Sequence, residues 1–236
     1  MLKIDLKKFN NIIFFTGAGM SKESGVDTYR GEDGRWEEYN WREYACQKAF
    51  LKDPSKVLRF HELRRKEIFS LTLHKGYYKI KEIQKIVKNL NIITQNIDGF
   101  HKRSLTKNII ELHGSLWNLR CEKENLVIED KEKWNYKNNK CDCGSYYRPD
   151  IIWFEDELNN SVYSKAINLI SQCDIFISIG TSGIVYPAAS LPKIAKQSGA
   201  FLVEINPEET ELSYIYDEKI REKATVGIKN LFNNIL

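Results

Sequence analysis

The stretch from Ile12 to Trp36, IIFFTGAGMSKESGVDTYRGEDGRW, constrains this chain more than any other. Ile12, Ile13, Phe14 and Phe15 run into Thr16-Gly17-Ala18-Gly19 and then Met20-Ser21-Lys22-Glu23-Ser24, which predicts a buried strand turning sharply into a helix. At such a junction an open parallel sheet holds a nucleotide. Gly17 and Gly19 would let the backbone approach a pyrophosphate, and the N–H groups at the helix start would point their partial positive charge at it. For two glycines alone, a tight turn packed with small residues is the alternative. The continuation through Gly25, Asp27, Thr28 and Arg30 adds an acid, a hydroxyl and an arginine beside the turn, which favours the nucleotide.

The same rhythm returns down the chain. Lys79 to Leu90 has helical spacing, with Ile80, Ile83, Ile86, Val87 and Leu90, and precedes a short strand, Asn91 to Thr94. Its end, Gln95-Asn96-Ile97-Asp98-Gly99, is a polar cluster where a doubly wound sheet places ligand loops. Asn108 to Gly114 repeats the arrangement and ends on His113, Asp174 to Ser182 is the clearest buried strand and turn, and Ala200 to Asn206 is another. A helix is expected over Ser161 to Gln172, another near Pro187 to Gln197, one leading the chain from Leu2 to Asn10, and a helical tail to Leu236. Strands ending in Gly, Asn, Ser or Thr between helices predict an α/β fold: a doubly wound, Rossmann-like parallel sheet with helices on both faces. Two stretches break the rhythm. After Trp36 the chain turns aromatic and polar, and Pro54-Ser55 opens a helix that puts Val57, Phe60, Arg64 and Ile68 near one face. Leu116 to Pro149 is rich in Lys, Asn and Glu and carries cysteines near its two ends. The expected organisation is a large dinucleotide-binding unit in three segments, 1–38, 79–115 and 150–236. It is interrupted by a helical insertion over 39–78 and a cysteine-bearing module over 116–149.

Composition removes several classes. A net charge of +4 from 36 basic and 32 acidic residues, scattered rather than clustered, argues against a nucleic-acid partner. No run approaches the roughly 18 apolar residues of a membrane span, and the start lacks a secretion signal, so a cytoplasmic protein is expected. Five cysteines, an odd number, do not suit a secreted disulfide framework. Cys121, Cys141 and Cys143 cluster, whereas Cys46 and Cys173 stand alone as apolar fillers.

The motifs GAGMSKESGVDTYR, TQNID, ELHGS, GTSGIVYPAA and EIN, in this order, together resemble the sirtuin family of NAD-dependent protein lysine deacylases. The likeness runs from about Ile12 to Asn206 and is strongest to the short bacterial branch that removes succinyl and malonyl as well as acetyl groups. It implies NAD as cofactor and acylated lysine-containing proteins or peptides as partners. Gly17, Ala18 and Gly19 would lie under the diphosphate, Ser21 and Arg30 would border the pyrophosphate and the nicotinamide ribose, and Trp36 joins the cofactor contacts. Gln95, Asn96 and Asp98 match the nicotinamide and ribose contacts, and Gly180, Thr181, Ser182 and Asn206 the adenosine side. His113 falls at the catalytic position, with Asn96 beside it. The resemblance has the acyl oxygen attack the ribose carbon as nicotinamide leaves. His113, with an imidazole pKa near 6.5, then takes a proton from a ribose hydroxyl. The products would be free lysine, nicotinamide and an O-acyl-ADP-ribose. A sirtuin-like NAD hydrolase or mono-ADP-ribosyltransferase is the rival enzyme, and a catalytically silent nucleotide-binding module the rival of another class.

Three departures from the family pattern bear on substrate and metal. The branch that removes acidic acyl groups spaces a tyrosine and an arginine three residues apart on one helix; here the positions hold His61 and Arg64, with Ala45 where a small residue leaves room for a longer chain. Arg64 could grip a carboxylate and His61 could donate a hydrogen bond, while a solvated helix face is the alternative for Arg64 and Arg65. Where the family reads Val-Val-Trp-Phe-Gly-Glu, this chain reads Ile151 to Asp156: Trp153 and Phe154 would wall the lysine tunnel, and Glu155 replaces the glycine. The family's two cysteine pairs shrink to Cys121, Cys141 and Cys143, so a fourth ligand for zinc would be Glu124 or water, which leaves zinc occupancy open.

Overall fold

Alternation along the first strand fixes the architecture. In a computed structural model, which describes residues 4–5, 8–28, 39–87, 89–136 and 139–231, strand β1 (Asn11–Thr16) points Ile12 and Phe14 into one apolar cluster and Ile13 and Phe15 into another. A strand buried on both faces has to be central, and β1 is. It pairs in parallel with β2 (Asn89–Thr94) on one side and with β7 (Ile175–Ile179) on the other. The sheet continues with β3 (Ile109–Glu111), β8 (Phe201–Ile205) and β9 (Glu218–Ile220), in the order β3-β2-β1-β7-β8-β9, every pair parallel. The order reverses at β1, so the ends of β1, β2 and β7 border one crevice.

Helices cover both faces. On one lie α5 (Lys75–Ile86), through Tyr77, Ile80 and Ile83, and α9 (Ala224–Leu231), through Ile228 and Leu231. On the other lie α7 (Asn160–Ile170) and α8 (Leu191–Gln197), through Ala166, Ile170, Leu191 and Ala195. The excursions pack on the first face. Short helices α2 (Trp41–Tyr44) and α3 (Gln47–Lys52) lead into α4 (Pro54–Ser70), which opens with Pro54 in its first turn and Asp53 capping the Lys56 N–H at 3.0 Å. The remaining short helices, α1 (Gly19–Lys22) and α6 (Phe100–Arg103), follow the turns after β1 and β2.

The cysteine-bearing stretch forms a three-stranded antiparallel sheet in the order β5-β4-β6, from β4 (Gly114–Cys121), β5 (Leu126–Glu129) and β6 (Arg148–Ile151). Its apolar residues Leu119, Cys121, Tyr136 and Tyr147 join the cluster of the first face instead of making a separate core.

Several expectations shift. The helix expected over Lys79 to Leu90 runs four residues earlier, because His74 caps it by accepting the Gly76 N–H at 3.1 Å; Leu90 belongs to β2, paired with Ile12. The helix near Pro187 to Gln197 begins at Leu191, after a single 3-10 turn over Ala188–Ser190. Strand β9 interrupts the expected helical tail. The expected leading helix falls partly outside the described residues, as do Arg30 and Trp36.

Candidate active site

Two glycine turns interlock at the centre of the crevice. Gly180, after β7, has a left-handed backbone (φ +60), and a Cβ there would sit 2.4 Å from the Gly19 carbonyl carbon and the Met20 nitrogen. Added Cβ atoms at Gly17 or Gly19 would each approach Gly180 to 2.7 Å. The Gly17 N–H donates to the Ile179 carbonyl (3.0 Å) and the Gly19 N–H to that of Gly180 (2.8 Å). The first turn therefore uses its glycines to press one turn against the other, and helix α1 is only four residues long. Gln95 Nε2 donates to Thr181 Oγ1 (3.0 Å) and Asn206 Nδ2 to the Thr181 carbonyl (3.1 Å), so the turns after β2, β7 and β8 are tied together around Thr181. Ser182 beside it is exposed.

Below these turns lies a buried polar network. Ser21 Oγ donates to Asp98 Oδ2 (2.6 Å), accepts from Asn96 Nδ2 (3.0 Å) and lies 2.7 Å from the Tyr77 hydroxyl. A carboxylate only accepts, so the Ser21 proton is spent on Asp98 and Tyr77 must donate to Ser21; the hydroxyl then has one donor bond and two acceptor bonds, its full capacity. Asn96 Nδ2 also donates to the Gly17 carbonyl (2.9 Å), and Asp98 Oδ1 accepts the Phe100 N–H (2.8 Å). Burial raises the Asp98 carboxyl above its usual range, against the bonds from Ser21 and Phe100, and burial and Asp98 together push the Tyr77 phenol well up. A small cavity is lined by Ala18, Ser21, Asn96, Asp98 and, from α4, Arg64.

His113 stands after β3, at the rim of this network. Its Nδ1 lies 3.0 Å from the Gln95 carbonyl, which can only accept, so Nδ1 carries the proton and Nε2 the lone pair. Among the described residues no hydrogen bond to Nε2 is recorded. Burial lowers the His113 pKa below 6.5, opposed by the Gln95 carbonyl. The imidazole is thus a neutral base with its accepting nitrogen free, at the same strand ends as Asn96. Gly114 fixes the chain there: φ is +74, and a Cβ would meet the Asp150 carbonyl oxygen at 2.0 Å.

The aromatic loop after β6 closes the other side. Trp153 is buried; its Nε1 donates to His61 Nε2 at 3.1 Å. The Phe154 ring packs on Trp41 with centroids 4.6 Å apart, and its N–H donates to the Ala45 carbonyl at 3.0 Å. His61 is held neutral: burial, then the nearby Arg148 charge, lower its pKa to about 3, and its remaining capacity goes to the Tyr44 backbone. Glu155 keeps the left-handed backbone (φ +71) that glycine would adopt without strain.

Arg64 and Arg65 are both buried, so they are not a solvated helix face. Arg64 donates to Glu67 Oε2 (3.0 Å) and to the Asp27 carbonyl (3.3 Å). Arg65 turns the other way, bonding the Asp130 and Lys133 carbonyls and lying over the Trp117 and Tyr136 rings. The sulfur atoms of Cys121, Cys141 and Cys143 all lie within 4.8 Å of one another, 3.6 Å between Cys121 and Cys143. Hydrogen bonds from Ser145 lower the Cys143 thiol to about 7, which suits a metal-binding thiolate. Among the described residues only these three side chains make up the cluster, and Glu124 is not part of it. Tyr77 carries no motif signal in the sequence, and Thr16 and Thr94 figure there only as members of their strand-end motifs, with no role assigned to either. Thr16 Oγ1 bonds Thr94 Oγ1 (2.8 Å) and lies 3.0 Å from Nε2 of His101. No helix among the described residues is long and apolar enough to cross a membrane.

Known proteins resemble the chain over nearly its full length. A profile of the Sir2 family matches residues 17–187. The "NAD-dependent protein deacylase" of Aquifex aeolicus is 38% identical over 230 residues, 94% of each chain. A crystal structure of a Sir2 homologue in complex with NAD superposes with a TM-score of 0.88 at 39% identity, covering 96% of this chain and 89% of the other. A mutant Sir2 homologue in complex with 2′-O-acetyl ADP ribose also gives 0.88, at 38% identity, covering 98% and 96%.

Proposed function

The chain belongs to the Sir2 family, and from that premise we propose that it removes acyl groups from protein lysines at the expense of NAD, releasing nicotinamide and an O-acyl-ADP-ribose. The observation that carries the reading is the His113 imidazole, its Nδ1 proton committed to the carbonyl of Gln95, the residue before Asn96, and its Nε2 without a partner among the described residues. The dinucleotide, when bound, supplies the ribosyl group that accepts the acyl group. The chain's own residues do the rest. Gly17, Ala18 and Gly19 line its path, the Thr181 turn with Ser182 and Asn206 takes the adenosine side, and Arg30 and Trp36 add contacts from outside the described residues. Gln95, Asn96 and Asp98 are set around the ribose and the amide, Gln95 held by Thr181 and the other two by Ser21, which Tyr77 bonds in turn. Asn96 spends its amide hydrogens on Gly17 and Ser21, which leaves its carbonyl oxygen to accept from a hydroxyl. His113 accepts the ribose hydroxyl proton at Nε2, and Trp153 and Phe154 wall the acyl-lysine. The segments 1–38, 79–115 and 150–236 form the dinucleotide-binding unit, with 39–78 and 116–149 as its insertions. Cys121, Cys141 and Cys143 would hold a zinc ion, with a fourth donor from solvent. In this reading Ala45, His61 and Arg64 border the acyl end, and Arg64 is the group that would meet a succinyl or malonyl carboxylate.

Mass spectrometry of acetyl-, succinyl- and malonyl-lysine peptides incubated with NAD tests the reading; acyl mass should be lost only with NAD and in step with nicotinamide. His113→Ala should lower turnover about 10²- to 10⁴-fold without unfolding the chain. Undiminished turnover in that variant, or nicotinamide release without acyl loss, would overturn it. Because burial lowers the His113 pKa, the neutral base persists below pH 6.5 and kcat/KM should fall only on the acid side of that value.

A further inference from the structure

We propose that Arg148 is a positioning residue for the acyl-lysine, acting through the Trp153 ring; the inference rests on the deacylase reading and assigns a role that the motifs do not. Arg148, on β6, is 2% exposed, and its guanidinium lies 3.6 Å from the centroid of the Trp153 ring. Its Nη1 donates to Gln47 Oε1 of α3 (2.8 Å) and to Glu122 Oε1, next to Cys121 (3.0 Å). Its Nη2 donates to the Ile151 carbonyl (3.0 Å) and to Asp156 Oδ2 (2.6 Å), and the same Asp156 oxygen accepts the Trp153 N–H (3.1 Å). The loop from Ile151 to Asp156 is therefore folded around one guanidinium, which bonds both of its ends and lies against the tryptophan between them. The indole N–H of the same ring is fixed by His61.

This arrangement needs the planar fork of arginine. A lysine would keep the charge but offers one nitrogen with three donors and no plane to stack on an indole, so it cannot hold Gln47, Glu122, Ile151 and Asp156 together under the ring. The ring is one wall of the proposed lysine tunnel. None of the four partners of the guanidinium belongs to the turns that would hold the dinucleotide, so a tilt of Trp153 should be felt by the acyl-lysine and not by NAD.

The test compares Arg148→Lys with the wild type on an acetyl-lysine peptide. We expect KM for the peptide to rise about tenfold, with KM for NAD within about twofold and kcat within about threefold. In a Trp153→Phe background the same substitution should add less than about twofold, because its effect passes through the indole. Asp156→Asn, which weakens one bond to the guanidinium and the bond from the Trp153 N–H to the same oxygen, should raise the peptide KM in the same direction by about threefold and serves if the lysine variant does not fold. Equal rises in both KM values, or the same factor with and without Trp153, would overturn the proposal by showing a general structural role. If the wild type turns over no acyl-lysine peptide at saturating NAD, it is the deacylase reading that fails. The placement of Trp153 is then read directly, as the difference in acrylamide quenching between chains with Trp153 and with Trp153→Phe. Greater quenching in Arg148→Lys supports the role of Arg148, and unchanged quenching overturns it.

Discussion

The turns at the end of the parallel sheet and the loop after the antiparallel sheet hold their side chains in opposite ways. At the sheet, backbone meets backbone: Gly180 seats against Gly17 and Gly19, and the polar side chains there, Ser21, Asn96, Asp98 and Thr181, are short and bond within one or two turns. At the loop, long side chains from separate elements converge. Arg148 from β6 and His61 from α4 fix Trp153, while Arg65 from α4 reaches the segment after β5. The first arrangement forbids any added atom but asks little of charge. The second tolerates a side chain at a left-handed position, as Glu155 shows, but depends on the length, plane and protonation of a few buried groups.

That contrast breaks first at the glycines. Gly180→Ala places a methyl 2.4 Å from backbone atoms at φ +60 and should cost about 3 kcal/mol or more of unfolding free energy in denaturant titration. Gly144→Ala, in the cysteine-bearing stretch at φ +82 with nothing within 4 Å of the new methyl, should cost only about 1 kcal/mol. Equal losses would erase the distinction. Acid probes the second half of it, since each region buries a histidine whose pKa falls to about 3, His61 at the loop and His101 under the sheet turns. Both stay neutral when folded, whereas the unfolded chain takes up their protons below about pH 6.5. Stability must therefore fall as pH drops from about 6.5 towards 3, by up to about 1.4 kcal/mol per pH unit for each site. Melting temperatures between pH 7.5 and 5 should show the slope, and His61→Gln and His101→Gln should each flatten it; a flat wild-type profile would contradict both assignments.

Smaller effects sharpen the comparison at the acyl end. Arg64 is already paired with Glu67, so an acidic acyl group has to compete for the guanidinium. Glu67→Gln should raise the succinyl-to-acetyl rate ratio about two- to fivefold, since a pair whose carboxylate is half-exposed contributes up to about 1 kcal/mol; an unchanged ratio would place Arg64 away from the acyl group. Least of all, Glu155→Gly should raise the melting temperature by about 2 °C, the left-handed strain relieved being partly offset by the entropy of glycine in the unfolded chain.

The sheet was legible because its signals are local. The apolar run from Ile12 to Phe15, the glycine-bearing turns after β1 and β7 and the polar strand end at Gln95 to Asp98 are each readable within a few consecutive residues, whereas the contact between the two glycine turns joins positions about 160 residues apart. The aromatic loop and the arginines were not, because their partners lie far along the chain. Nothing at Tyr77 within a run of core-facing residues marks a hydroxyl aimed at Ser21, 56 positions earlier. Arg65 follows Arg64 directly, yet helical pitch turns it by about 100° and sends it into a different set of carbonyls. His61 illustrates the limit: its spacing from Arg64 suggested a donor for a substrate, and packing made its Nε2 the acceptor for Trp153 instead.

By itself, then, the sequence determined the parallel sheet, the crevice where its order reverses and the residues brought to that crevice, since hydrophobic period and turn chemistry act over one or two elements. Tertiary structure alone decided which nitrogen of His113 is left open, which carboxylate Arg64 meets and what holds Trp153. Those outcomes depend on desolvation and hydrogen-bond geometry between groups that the chain brings together only when it is folded.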